Sequence, residues 1–127
     1  MATAAASDVV GDLHQINAWI LIGSNALAGL WCLAAFQWRQ LAGRPMWILV
    51  IVAQCTTFLQ AVLGALWASQ DDLEIDDMHM LYGFSAMVAV GILYSYRGSP
   101  FIKDKTTLLY GFGSLFIMGL GLRNLVL

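Results

Sequence analysis

Four long apolar runs alternate with short polar segments along this chain. The runs lie near residues 16–36, 47–68, 78–96 and 107–125. Each is close to the roughly 20 helical residues needed to cross about 30 Å of hydrocarbon. We predict helix for each run, because an open strand would leave its backbone N–H and C=O groups unpaired in lipid. The pattern therefore predicts four transmembrane helices.

The connections between these runs are short and polar. They read "QWRQLAGRP" at 37–45, an acidic segment at 69–77, and "RGSPFIKDK" at 97–105. Short connections make consecutive helices antiparallel neighbours. We therefore predict an all-α integral membrane protein, a single domain over residues 1–127 folded as an up-down-up-down four-helix bundle.

The Lys and Arg residues predict how the bundle lies in the membrane. Five of the six basic residues fall in the first and third connections, at Arg39, Arg44, Arg97, Lys103 and Lys105. The middle connection and the N-terminal segment contain none. Since basic residues concentrate in cytoplasmic loops, both termini and the acidic segment are expected outside, in a multi-pass protein of the cell (inner or plasma) membrane.

Composition agrees with a membrane protein. The chain is 60% hydrophobic and 11% charged, whereas soluble domains are about 45–50% apolar and about 25% charged. A net charge of −2 without any basic run argues against a nucleic-acid partner, so the lipid bilayer is the expected environment. The start "MATAAASDVVGDLHQ" lacks the basic region of a signal peptide, and we expect it to remain in the mature protein.

Polar residues recur where each predicted helix meets the outer side. They are His14 and Asn17 on the first helix, Gln60 on the second, His79 on the third and Arg123 on the fourth. Ionisable groups inside a membrane protein are costly and commonly mark function. A candidate site is therefore expected near the outer leaflet.

The chain has two histidines, and they suggest a specific cofactor. His14 and His79 lie on the first and third helices, which are diagonal in an antiparallel four-helix bundle and face each other across its core. Two such imidazoles can ligate one haem iron from both faces. We predict a b-type haem between them, with Asn17 and Gln60 nearby and Arg123 paired with a propionate. Electron transfer in or beside a respiratory-type complex would follow, with quinone as a second candidate ligand.

Other interpretations of the same residues remain open. His79, Asp77, Arg123 and Asn17 would equally form a hydrogen-bonded cluster that locks the bundle without any cofactor. The "MHM" at 78–80 offers thioether and imidazole ligands for copper, but adjacent side chains point apart on a helix. The acidic segment at 71–77 offers calcium ligands but lacks EF-hand spacing, and a solvated loop also explains it.

The chain resembles one half of the haem A synthase family. The resemblance lies in "LHQINAWILIG", "FLQAVLGALW" and "MHMLYGFSAM", with the acidic segment before the last, and covers roughly residues 12–90. In that family each four-helix half holds a haem through histidines on its first and third helices, which His14 and His79 match. Gln60, Leu63 and Gly64 match its Q-x-x-L-G element.

The resemblance implies haem binding but not haem oxidation. The family has two halves where this chain has one, its extracellular cysteine pair is missing here, and Asp12 only loosely matches its catalytic acid. A homodimer would restore two halves. Three functions therefore stay open: an electron-transfer haem protein, an accessory subunit of a larger membrane complex without its own cofactor, and a haem-modifying enzyme. The sequence does not predict catalysis by this chain alone.

Overall fold

The computed structural model describes residues 2–71 and 74–126 and is all-helical there. The main helices are α1 (Ala2–Gln37), α2 (Arg44–Asp71), α3 (Asp77–Ser95) and α4 (Thr106–Val126). Short 3₁₀ turns occupy Arg39–Leu41 and Pro100–Lys105. All four α-helices are long and apolar enough to cross a membrane, which confirms the predicted all-α class and the number of membrane-length helices.

The helices extend beyond the predicted apolar spans, most of all at the N-terminus. α1 begins at Ala2, although hydropathy placed the first span at 16–36. The added segment is rich in alanine, the strongest helix former, but it also carries Asp8 and Asp12. α2 likewise continues through polar residues to Asp71. Hydropathy therefore located the membrane-length part of each helix and not its ends. Within the acidic segment, Asp72 and Leu73 lie outside the described residues.

α1 and α4 form the centre of the bundle. α1 packs along both α2 and α4, and α4 also packs against α3. α2 and α3 touch each other at few positions. The helices are therefore in contact in the order α2, α1, α4, α3, and a cleft separates the two helices at the ends of this row. α1 and α3 lie across the bundle from each other.

Buried amides join α1 to α2. The Asn17 side-chain nitrogen donates to the Thr56 carbonyl and to Gln60 Oε1, both at 2.9 Å. Further along, the Asn25 side-chain nitrogen donates to the carbonyl of Leu21 at 2.9 Å and to that of Ala53 at 3.4 Å. Such interhelical hydrogen bonds fix the register of helices that pack in lipid.

Glycines allow α1 and α4 to approach closely. A methyl group added at Gly111 would lie 2.6 Å from the Leu33 side chain, and one at Gly29 would lie 2.7 Å from Leu115 and 3.0 Å from the Gly111 carbonyl. Close backbone approach through small residues is the usual packing of membrane helices. This seam holds the two central helices together.

The two connections rich in basic residues meet at the same end of the molecule. A guanidinium nitrogen of Arg39, between α1 and α2, donates to the carbonyl of Asp104, before α4, at 3.3 Å. Gly98 has a φ of 76°, a left-handed conformation that glycine adopts without strain. The Ser99 hydroxyl then accepts from the Phe101 N–H at 3.3 Å and caps the 3₁₀ turn.

Candidate functional site

The two histidines lie next to each other at one end of the bundle. The ring centroids of His14 on α1 and His79 on α3 are 6.2 Å apart, with the ring planes inclined by 39°. Both side chains are half-buried. The fold thus brings together two imidazoles that are 65 positions apart in the sequence.

A cavity of about 880 Å³ adjoins the histidines, within the range of about 300–1,000 Å³ typical of ligand sites. Each helix lines it with residues spaced i, i+4, i+7, which lie on one helical face. α1 and α2 contribute His14, Ala18, Leu21, Gln60, Gly64 and Trp67. α3 and α4 contribute His79, Gly83, Ala86, Ile117, Gly121 and Asn124. All four helices therefore contribute walls to the cavity.

Two glycines determine the surroundings of His14. A methyl group at Gly64 would lie 3.1 Å from His14 Nε2, so the imidazole packs on bare α2 backbone. The Trp67 ring lies 5.6 Å from the His14 ring, centroid to centroid. Trp67 in turn packs on Gly11, where a methyl group would approach it to 2.8 Å. Each glycine lets a ring approach a helix backbone closely. The His14 ring is thereby packed between the α2 backbone and Trp67.

Gly83 leaves open space on the opposite wall. It lies one turn after His79 on α3 and lines the cavity. A methyl group added there would meet no atom within 4 Å. The α3 backbone is therefore bare towards the cavity, which leaves room for the face of a ligand below His79.

Asn17 and Gln60, both predicted site residues, form one unit. Asn17 is 5% exposed and does not line the cavity, because its amide is bonded to Thr56 and Gln60. Gln60 does line the cavity. Asn17 therefore holds Gln60 at the cavity wall and does not itself face a ligand.

Arg123 and the two candidate aspartates lie outside the cavity. Arg123, Asp12 and Asp77 are exposed and are not among the residues that line it. Asn124, which sequence reasoning missed, lines it instead and donates its side-chain N–H to the His79 carbonyl at 3.2 Å. The Asn124 Oδ1 atom is buried and has no hydrogen-bond partner among the described residues.

The rim of the cavity is acidic. Glu74 and Asp76, from the connection between α2 and α3, line the cavity, and no described Lys or Arg does. Both carboxylates are exposed, so their repulsion of anions is strongest at low ionic strength. This rim therefore disfavours anions that approach from the aqueous phase.

The described residues contain no group of three or more His, Cys, Asp and Glu side chains that would hold a metal ion. A structural zinc site takes four protein ligands, which this pair of imidazoles does not supply. Two histidines suffice for a haem iron, because the macrocycle provides the other ligands. The donor set therefore fits a haem better than a bare ion.

The spacing of the rings also fits a shared iron. Imidazole nitrogens bind a metal at about 2.0–2.1 Å and lie about 1 Å from their ring centre, so two rings on opposite sides of one metal, each with a nitrogen directed at it, have centroids about 6 Å apart. The Nε2 atom of His14 lies against Gly64. The observed separation is 6.2 Å. The open space at Gly83 agrees with this fit, whereas the acidic rim offers no counter-charge for propionates. A cation for propionates would have to come from outside the described cavity lining.

Comparison with known proteins gave no match to a family model, to a curated protein or to a solved structure. The resemblance to the haem A synthase family stays a hypothesis that rests on the quoted motifs.

Proposed function

We propose that this chain is a membrane haem protein that holds a b-type haem between His14 and His79 and transfers electrons at the outer face of the membrane. The observation that carries the proposal is the 6.2 Å separation of the two rings beside a large cavity. A haem with two histidine ligands supplies a one-electron couple with little room for substrate at the iron. Electron transfer is therefore preferred over catalysis.

The residues of the chain have distinct roles in this proposal. His14 and His79 are the iron ligands, and Gly64 and Trp67 hold the His14 ring. Gly83 leaves space for the macrocycle. Arg123 precedes the cavity-lining Asn124 on α4, and we assign its long exposed side chain to a propionate.

We also propose an up-down-up-down arrangement with both termini outside the cell membrane. Contacts along α1 and α2 support opposite directions, since Asn17 pairs with Gln60 while the later Asn25 reaches the earlier Ala53. The bond from Arg39 to the Asp104 carbonyl supports a common end for the two basic connections, and by the positive-inside rule we assign that end to the cytoplasm.

The test is the absorbance spectrum of the purified protein. After expression with ample haem, the protein is expected to show a Soret band and the sharp visible bands of a low-spin haem. His14→Ala and His79→Ala each remove one axial ligand and are expected to lose the low-spin spectrum and most of the bound haem. Met78→Leu is the matched control next to His79, because Met78 does not line the cavity, and it is expected to keep the spectrum. A colourless wild-type protein, or an unchanged spectrum in both histidine variants, would overturn the proposal.

The same preparation separates the two alternative functions. A haem-modifying enzyme would release a chemically altered pigment, which mass spectrometry of the extracted haem detects. A cofactor-free accessory subunit would be colourless and would co-purify in fixed proportion with a larger membrane complex. The proposed electron carrier yields unmodified haem b.

A further inference from the structure

The bundle is least closely packed on one side, between α2 and α3, and both of these helices line the cavity. α1 packs on α2 and α4, and α4 packs on α3, but α2 and α3 barely touch. The walls of the cleft between them come from Ala61, Gly64 and Ala65 on α2 and from Tyr82, Gly83 and Ala86 on α3, all of which line the cavity. Five of these six side chains are hydrogen or methyl, and larger side chains of the same helices, among them Gln60, Trp67, Met80 and Phe84, line the cavity beside them.

A ligand has two routes into this cavity, and they differ in charge. The route from the outer aqueous phase passes Glu74 and Asp76, with no cation lining the described part of the cavity. The lateral route passes between α2 and α3, and none of the side chains with which these two helices line the cavity is a carboxylate. Haem carries two propionates and a large apolar face, so an acidic mouth repels it while an apolar cleft in lipid admits it.

From this we infer that the site exchanges its ligand laterally with the bilayer, through the cleft between α2 and α3. Gly83 on α3 lies where this cleft enters the cavity. The ligand class is a membrane-dissolved planar amphiphile, and its identity as haem rests on the proposed function. The acidic rim then repels anions that approach the site from the aqueous phase.

Gly83 is suited to test this because its surroundings separate access from folding. No atom lies within 4 Å of a methyl group added there, so the first carbon of a new side chain displaces no neighbour. Gly91 provides a matched control on the same helix, two turns further along. It is exposed, it also has no atom within 4 Å of an added methyl group, and it does not line the cavity.

The first experiment needs no haem. Gly83→Cys is prepared in a background with Cys32→Ala and Cys55→Ser, and the apo-protein in vesicles is treated with a lipid-soluble maleimide or with a sulfonated, water-soluble thiol reagent. We expect Gly83→Cys to react with the lipid-soluble reagent about tenfold faster or more, because a negatively lined opening depletes anions to that extent. Equal or faster reaction with the sulfonated reagent would overturn the inference.

The second experiment follows haem uptake by stopped-flow absorbance. Haem is supplied either dissolved in the vesicle membrane or bound to albumin in the external buffer. Wild type is expected to load faster from the membrane. Because Gly83 also lines the haem cavity, the two haem sources are compared within each variant: Gly83→Leu is expected to slow loading from the membrane several-fold more than loading from albumin, and Gly91→Leu to leave both rates unchanged. Loading of Gly83→Leu at the wild-type rate would contradict the lateral route.

A negative result in one experiment does not imply a negative result in the other. If the cysteine reacts as expected but no preparation binds haem, the cofactor is wrong and the lateral cleft stands. If haem binds but loads equally fast from water and from the membrane, the cofactor stands and the lateral route is wrong. Protection of Gly83→Cys by haem, without protection of Gly91→Cys, would link the cleft to the haem site.

Discussion

Gly64 controls how closely His14 approaches α2. A methyl group there would lie 3.1 Å from Nε2 and 3.3 Å from Cδ2 of His14, which is close enough to push the ring by a few tenths of an ångström. We expect Gly64→Ala to fold, since alanine favours helix over glycine by about 1 kcal/mol, but to bind haem more weakly. Haem titration combined with thermal unfolding of the apo-protein would separate the two effects.

Gly23→Ala is the control for this change. Gly23 is on α1, is exposed, and has no atom within 4 Å of an added methyl group. Gly23→Ala should therefore leave the haem affinity unchanged. Equal haem affinity in Gly64→Ala and Gly23→Ala would show that the ring does not depend on the bare backbone of α2.

The bond between Asn17 and Gln60 is expected to stabilise the fold by a measurable but modest amount. Hydrogen bonds between membrane helices contribute about 0.6 kcal/mol on average and at most about 2 kcal/mol. A double-mutant cycle with Asn17→Ala and Gln60→Ala, measured by unfolding in detergent, should give a coupling free energy in that range. Asn17→Ala should cost more than Gln60→Ala, because Asn17 also donates to the Thr56 carbonyl.

Gln70→Ala provides the control for general loss of a glutamine. Gln70 is exposed at the end of α2, and its replacement should have no effect on unfolding. A coupling free energy of zero in the cycle would mean that Asn17 and Gln60 do not hold α1 and α2 in register.

Sequence reasoning identified the polar residues of the site better than the small ones. His14, His79 and Gln60 stand out because polar groups are rare in apolar runs. Gly83 and Asn124 became significant only once the helices were placed, since their roles depend on helical phase. A usable signal was present: each helix carries i, i+4, i+7 triplets, with glycine at the middle position on α2, α3 and α4. The exposed position of Arg123 also depends on that phase.

The contact between α1 and α4 is one of the two most extensive helix contacts in the bundle. A leucine side chain at position 111 would clash with Leu33. Even a methyl group there would lie 2.6 Å from the Leu33 side chain and 3.1 Å from the Leu33 backbone nitrogen. Overpacking a close interface typically costs about 1–3 kcal/mol. We expect Gly111→Leu to lower the unfolding temperature or prevent folding altogether, as measured by circular dichroism in detergent.

Gly119→Leu, on the same helix, is the matched control. Gly119 is exposed and has no atom within 4 Å of an added methyl group, so its unfolding temperature should stay near that of wild type. Similar destabilisation by both leucines would indicate that α4 tolerates no bulk anywhere, and not that the α1–α4 seam is close-packed.

The number and type of the helices could be predicted from the sequence. The lengths of the helices and the weak contact between α2 and α3 could not. Hydropathy detects the part of a helix that matches hydrocarbon, so the polar start of α1 went unseen. Short connections predicted that neighbours in sequence are neighbours in space, yet α2 and α3 barely touch. Contact between two helices depends on complementary side chains on both, which no single run reveals.

The orientation of the whole molecule can be checked with two single cysteines. Gln40 and Ser69 are both exposed, in the first connection and near the end of α2. With the native cysteines replaced, we expect Ser69→Cys to react with an impermeant thiol reagent in intact cells, and Gln40→Cys to react only after the membrane is permeabilised. The reverse pattern would place the candidate site on the cytoplasmic side.

The length of α1 has an electrical consequence. α1 has 36 residues, about 54 Å at 1.5 Å per residue, against about 30 Å of hydrocarbon. His14 lies 23 residues before the end of α1 at Gln37, which places it about 35 Å along the helix from that end. In the proposed orientation the histidine pair therefore sits at the outer edge of the hydrocarbon.

With the proposed haem bound at this pair, an electron that moves between it and a partner in the outer aqueous phase would cross almost none of the membrane potential. An electron supplied from the cytoplasmic side would cross nearly all of it, at about 2.3 kcal/mol for each 100 mV. The position of one residue along one helix thus decides which of the two half-reactions is sensitive to voltage.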